Sequence, residues 1–249
     1  MHKPTLLCIH GFPLDHTLWA PQVAGLADIA HVLAPDLRGF GDDQRPVPEV
    51  MTMEAYAADL KELLDERGVD RVVLCGLSMG GYVAMAFLAQ WPERVAGLVL
   101  CNTRANADTP EGRTARQATA QNAFEKGVDV IARAMAPTLL SEHSKRVHPE
   151  LMARMETMIG RQRPEAVAAA ALGMSERPDR HEVLRGCTVP ALVITGSEDA
   201  LMPQPTSQAM VDALPSGRLV VLPHAGHLTN LEATEAFNDT VRAFIGSLG

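Results

Sequence analysis

The 249-residue sequence predicts an α/β fold: a mostly parallel sheet of about six strands flanked by helices, with a helical insertion late in the chain. Three observations predict it. Short, continuously apolar, β-favouring runs recur along the chain, as expected of strands buried on both faces. Stretches of helical periodicity separate them and supply the crossovers that parallel strands require. The unusual Gly-rich and charged loops directly follow apolar runs, at the strand carboxyl ends where open α/β sheets build their sites.

Taken in order, Thr5–Ile9 is the first buried strand, and His10-Gly11-Phe12-Pro13 follows it. Gly11 and Pro13 dictate a loop there rather than a helix. Residues 17–26 read as a short helix carrying Leu18, Trp19, Val23 and Leu26. Residues 31–34 form the next strand, closed by Pro35, and Asp36-Leu37-Arg38-Gly39-Phe40-Gly41 is a charged turn at its end. Thr52 suits the N-cap of a helix running to Arg67, with Gly68 at its C-terminal cap. Met53, Tyr56, Ala57, Leu60, Leu63 and Leu64 repeat along that helix at the spacing of one face. The strand Val72–Leu77 then runs into a helical pattern over residues 80–90 that Trp91-Pro92 closes, and Val95–Cys101 is another buried strand.

After Asn102 the character changes. Residues 104–185 contain no convincing strand and read as helices over 111–124, 128–136, 149–160 and 164–174. This segment carries 13 Lys/Arg against 11 Asp/Glu, whereas the rest of the chain carries 9 against 19. Its composition therefore marks it as an insertion: residues 1–103 and 186–249 form the core, and 104–185 a helical cap that is not an independent domain. Strands resume at 190–195, with Gly196-Ser197-Glu198-Asp199 at the carboxyl end. A helix over 204–214 and a last strand over 219–222 lead to Pro223-His224-Ala225-Gly226-His227. The final helix places Phe237, Val241, Phe244, Ile245 and Leu248 on one face, which packing on the sheet explains.

The composition, 47% hydrophobic and 21% charged, is that of a soluble globular protein. A formal charge of −8 and the lack of a basic cluster argue against a nucleic-acid partner. Cys8, Cys75 and Cys101 lie in strand-like runs and Cys187 just precedes one, so buried reduced thiols are expected rather than disulfides or metal ligands. Met1-His2-Lys3-Pro4 leads straight into a strand, so no signal peptide is expected. No apolar run approaches the roughly 20 residues of a membrane span. A cytoplasmic enzyme acting on a small molecule, as a monomer or homo-oligomer and without a membrane partner, fits these features.

Gly76-Leu77-Ser78-Met79-Gly80 lies between a strand and a helix, the context a nucleophile elbow requires. By itself the pattern is weak, because a Gly-rich turn also suits a phosphate cradle. No G-x-G-x-x-G occurs, however, and no Lys-Ser/Thr pair follows the glycines. A serine hydroxyl is a poor nucleophile at neutral pH and needs a base within reach, and that base needs a carboxylate to orient it. Ser78, Asp199 and His227 follow strand ends in the order nucleophile, acid, histidine.

With these pieces, together with His10-Gly11-Phe12-Pro13 and Asp36-Leu37-Arg38-Gly39-Phe40-Gly41, the chain resembles the α/β-hydrolase superfamily along nearly its whole length. Within it the sequence is similar to small serine esterases and 3-oxoadipate enol-lactonase-like hydrolases. It departs from the usual pattern in lacking an antiparallel hairpin before the first strand and in carrying Asp42 where the turn usually has Ser. The resemblance implies a catalytic Ser78, Asp199 and His227, with an oxyanion hole formed by the backbone N–H groups of Phe12 and Met79. It favours Asp199 over Glu198 by its distance from Gly196, and His227 over His224. His10 is expected to support its loop, and Asp36 to make a salt bridge or turn contact with Arg38. Trp19, Met135 and Met158 are candidate pocket residues, as are Met152, Met155 and Met174, and Arg104 is a candidate for attracting an anionic substrate. No metal or organic cofactor is implied, and His224 and His227 lack the ligand spacing of a metal site.

The expected activity is hydrolysis of a carboxylic ester or lactone through an acyl-enzyme. A carbon–carbon bond hydrolase or a cofactor-free perhydrolase on the same triad remains an alternative, as does a ligand sensor without turnover.

Overall fold

Apolar runs too short for helices and too apolar to face water assemble into one six-stranded sheet. Its strands are β1 (Thr5–Ile9), β2 (His31–Leu33), β3 (Val72–Leu77), β4 (Val95–Cys101), β5 (Ala191–Gly196) and β6 (Gly217–Leu222), in the spatial order β2-β1-β3-β4-β5-β6. Every pair is parallel. The computed structural model describes residues 3–248. Met1 and His2, on which the expectation of no signal peptide partly rests, lie outside the described residues.

The chain leaves β1 for β2 on one side and returns to β3 on the other. This reversal opens a crevice at the carboxyl ends of β1 and β3, where the register sets Ile9 beside Gly76. The loop after β1 and the turn after β3 are therefore neighbours.

The first helices are α1 (Ala20–Gly25), α2 (Met53–Glu66) and α3 (Met79–Gln90). The single helix expected over 17–26 is split. Asp15 accepts from the Thr17 N–H and caps a 3₁₀ turn, His16–Trp19, before α1 begins. Thr52 caps α2 through its Oγ1, which accepts from the Ala55 N–H at 3.1 Å. All of α3 from Met79 to Leu88 is buried, as expected of a helix apolar on every side.

Between β4 and β5 the chain forms α4 (Pro110–Glu125), α5 (Val128–Leu139), α6 (Glu142–Val147), α7 (Glu150–Gly160), α8 (Pro164–Glu176) and α9 (His181–Arg185). The short α6 and α9 were not anticipated, since neither is long enough for an apolar periodicity to register. α10 (Gln204–Ala213) joins β5 to β6, and α11 (Thr229–Glu232) and α12 (Thr234–Gly246) end the fold. α8 is buried along most of its length: Ala166 to Ala171 are all inaccessible, and Ala169 O accepts from the Met51 N–H at 3.0 Å. Its small side chains let the helix backbone press onto the segment that leads into α2.

All four cysteines are buried and free, with Cys75 Sγ and Cys101 Sγ 4.0 Å apart. No helix among the described residues is long and apolar enough to cross a membrane.

Candidate active site

The turn from β3 into α3 leaves one residue, Ser78, between a strand and a helix. Its backbone is at φ 55°, ψ −114°, a conformation that costs an L-residue about 1–3 kcal/mol and persists only where the surroundings enforce it. Close packing enforces it here. A Cβ at Gly76 would lie 2.2 Å from Gly80 O, and one at Gly80 would lie 2.1 Å from Ile9 O. The Ser78 N–H donates to Cys101 O at 2.9 Å, and its carbonyl accepts from the Gly81 N–H at 2.9 Å and Thr103 Oγ1 at 2.7 Å. The backbone is thus tied down on both sides. The half-buried side chain makes no hydrogen bond among the described residues, leaving Oγ free.

Asp199 and His227 meet beyond β5 and β6. His227 Nδ1 lies 3.1 and 3.0 Å from the two Asp199 oxygens, and both side chains are nearly inaccessible. A carboxylate can only accept, so Nδ1 carries the hydrogen, and the lone pair of the neutral ring sits on Nε2. The N–H groups of Leu201 and Met202 donate to Asp199 Oδ1 at 2.9 and 3.0 Å, and Asn102 Nδ2 donates to Oδ2 at 2.9 Å. Burial alone would raise the pKa of Asp199. The electrostatic attraction and hydrogen bond of the His227 ring, together with these donors, outweigh burial and hold the carboxyl below its ordinary value.

The loop after β1 presses against the elbow: a Cβ at Gly11 would come within 3.3 Å of both Leu77 O and Ser78 Cβ. The next N–H in this loop belongs to Phe12. The first N–H of α3, that of Met79, lies directly after Ser78, at the end where a helix leaves donors unpaired and favours negative charge. Among the described residues neither N–H donates to a protein acceptor. His10 ties this loop to the segment after β2. Its Nε2 accepts from the Leu37 N–H at 3.0 Å and its Nδ1 donates to Gly11 O at 2.9 Å. Complete burial lowers its pKa, which keeps the ring neutral.

The remaining sequence candidates are distributed differently. Met135 and Phe12 line one hollow of about 300 Å³, together with Arg116, Thr119, Ile131 and Ala134. Trp19 is a correction: it is fully buried and packs on Phe237 of α12, 6.0 Å between ring centroids, so it belongs to the core. Met158 is buried and borders a separate hollow with Thr17, Arg154 and Arg161. Met155 and Met174 are buried. Arg104 Nε lies 3.1 Å from Met202 Sδ, and the residue has no carboxylate partner among the described residues.

The expected Asp36–Arg38 contact is not made. Asp36 binds the His16 N–H and Nδ1 at 2.7 and 2.8 Å and the Asp42 N–H at 2.8 Å, while Arg38 pairs with Asp59, Nε to Oδ2 at 2.7 Å. The ligand-type atoms of Asp15, His16 and Asp36 lie within 4.8 Å of one another. Asp15 is nevertheless engaged by Thr17, Arg161 and Gln162. His224 is exposed, stacks on His143 and lies 3.5 Å from Glu198.

Two neighbours of the site escaped the sequence reading. Asn102, at the end of β4, reaches Asp199, and only its position after a buried strand hinted at a role. Glu232 joins the α5–α6 junction to the histidine loop: its oxygens accept from the Ser141 N–H at 2.8 Å and the Leu228 N–H at 2.9 Å. The His227 N–H itself donates to Leu139 O, at the end of α5, at 3.0 Å.

A parallel sheet with a strained serine elbow, and a buried Asp–His pair at the same edge, places the chain among α/β enzymes with hydrolase architecture. It belongs to the alpha/beta hydrolase fold family, whose profile matches residues 4–234. Among solved structures it is similar to a thermophilic esterase from Thermogutta terrifontis, with 43% identity, 98% of this chain and 90% of that chain covered, and a TM-score of 0.96. It is also similar to the enol-lactonase from Burkholderia xenovorans, with 30% identity, 99% and 92% covered, and a TM-score of 0.91. A curated relative, 3-oxoadipate enol-lactonase 2 of Acinetobacter baylyi, is 27% identical over 97% of this chain and 88% of its own length.

Proposed function

We propose that the protein is a serine hydrolase that cleaves a carboxylic ester or lactone of modest size through Ser78, His227 and Asp199. The observation that carries this reading is the buried Asp199–His227 pair at the sheet edge where the strained turn presents Ser78. His227 Nε2 takes the Ser78 proton as Oγ attacks the substrate carbonyl. The N–H groups of Phe12 and Met79 receive the oxyanion of the tetrahedral intermediate, where each donor is worth about 10²–10³ in rate. His227 then protonates the leaving alkoxide, an acyl-enzyme remains, and the same imidazole activates water to release the acid. Asp199 stays ionised throughout and stabilises the imidazolium. This chemistry calls on neither a metal nor an organic cofactor.

The hollow of about 300 Å³ beside Phe12, lined by Ile131, Ala134 and Met135 together with Arg116 and Thr119, supports an acyl group of limited size. The esterase and enol-lactonase relatives support the same substrate class.

Replacing Ser78 by Ala is expected to lower p-nitrophenyl acetate turnover by about 10⁴-fold or more, by analogy with triad knockouts. It should also abolish labelling by a fluorophosphonate at residue 78, read by peptide mass spectrometry. Wild-type turnover by that variant would sink the reading. A panel of esters and lactones of graded acyl length, some bearing a second carboxylate, then identifies the preferred substrate.

A further inference from the structure

Asn102 is completely buried at the carboxyl end of β4, and each of its polar side-chain atoms is used. Nδ2 donates to Asp199 Oδ2 at 2.9 Å and to Gly226 O, next to His227, at 3.1 Å. Oδ1 accepts from Thr229 Oγ1 at 2.6 Å. Its backbone N–H donates to Ile194 O on the neighbouring β5 at 2.9 Å, and its φ of 47° is one that asparagine tolerates better than most residues. The amide orientation is forced. Reversing it would aim an oxygen at both the Asp199 carboxylate and the Gly226 carbonyl, two acceptors.

We propose that Asn102 is a positioning residue: its amide locks the Asp199 carboxylate and the loop carrying His227 into one geometry, with Thr229 setting the direction of the amide. This rests on the reading of Ser78, His227 and Asp199 as the triad. Without this donor, Asp199 Oδ2 keeps only the imidazole N–H, and Gly226 loses its link to β4. The carboxylate is then free to rotate on the hydrogen bonds to Oδ1, and the His227 ring loses the fixed partner that sets its orientation. The adjacent residue completes the brace, since Thr103 Oγ1 holds the Ser78 carbonyl. The two residues that directly follow β4 thus reach the acid, the histidine loop and the nucleophile.

The test uses Asn102→Gly, which keeps the left-handed backbone and removes only the side chain, and Asn102→Asp, which keeps the shape and replaces the donor by a carboxyl. Steady-state kinetics with p-nitrophenyl acetate are measured across pH, with thermal melting to confirm folding and Ser78→Ala as reference. Asn102→Gly is expected to lower kcat about 10- to 100-fold with KM nearly unchanged, the worth of one hydrogen bond to a charged group. In Asn102→Asp the two neighbouring carboxyls share a proton, because both cannot ionise easily at this distance. While that proton is held, the new carboxyl donates to Asp199 as the amide did. Activity relative to wild type is therefore highest at the acid end and falls as pH rises.

A folded Asn102→Gly with wild-type kcat overturns the proposal, and so does an Asn102→Asp whose ratio to wild type is flat with pH. Retained turnover in Ser78→Ala instead removes the triad reading itself, so the two failures are distinguishable.

Discussion

At Ser78 an unfavourable backbone is held by atoms that cannot move. The space that Gly80 leaves empty is bounded by Ile9 O, a main-chain atom of the adjacent strand, so a methyl group there has no rotamer to escape into. Gly80→Ala is therefore expected to lower the melting temperature despite alanine's helix preference of about 1 kcal/mol, and to lose fluorophosphonate labelling of Ser78. Gly186→Ala is the contrast. Gly186 ends α9 in a right-handed conformation, and its nearest neighbour to an added methyl is Glu182 O at 3.6 Å. That change should be neutral or stabilising by about 0.4–1 kcal/mol, through the unfolded chain. A melting temperature raised by Gly80→Ala would contradict the account of the elbow.

Between elements, the α5–α6 junction and the histidine loop are tied together by several hydrogen bonds. The His227 N–H ends on Leu139 O, and Ser141 Oγ donates to His224 O at 2.8 Å. Glu232 bridges the N–H groups of Ser141 and Leu228. Removing that carboxylate strands two backbone donors, each costing about 1–3 kcal/mol if it stays buried. Glu232→Ala should thus lower both the melting temperature and kcat, whereas Glu232→Gln, which keeps one acceptor, should fall between. A loss of stability with kcat untouched would show that the α5–α6 junction and the His227 loop are mechanically independent. A similar tie exists at α7, where Arg161 and the neighbouring Gln162 reach Asp15 at 2.8 Å each.

Over the whole molecule, buried titratable groups set the acid limit of the fold. His10 is held neutral by burial, with its pKa below the ordinary 6.5. The stability it confers is complete above that value and erodes as pH falls through its lowered pKa. Asp15 and Asp199 are also lowered. Burial opposes this at both, but Arg161 and Thr17 outweigh it at Asp15, and His227, Asn102 and Met202 do so at Asp199. Their contribution is complete above the ordinary 3.8 and is lost as pH falls through their lowered values. Thermal melting should accordingly change little between about pH 7 and 8, decline below about 6.5 and fall more steeply below about 4. A melting temperature that rises from pH 7 to 5 would rule out the buried neutral His10.

Local pattern determined the parallel α/β order, the strand runs, the Thr52 cap and the place of Ser78 between strand and helix. These depend on residues within a few positions of one another, where apolar period and turn chemistry operate. The meeting of Asp199 with His227 was legible too, by their places after strand ends and by resemblance. Only the tertiary structure decided what each side chain meets. Asn102 and Asp199 are 97 positions apart, and Gln162 reaches Asp15 across 147. The same long-range packing turned Trp19 from a pocket candidate into a core residue and gave Asp36 to His16 instead of Arg38. The physical reason is that hydrogen-bond partners and buried faces are chosen by packing between distant segments. An apolar run records that a segment will be buried and leaves open which residues lie against it.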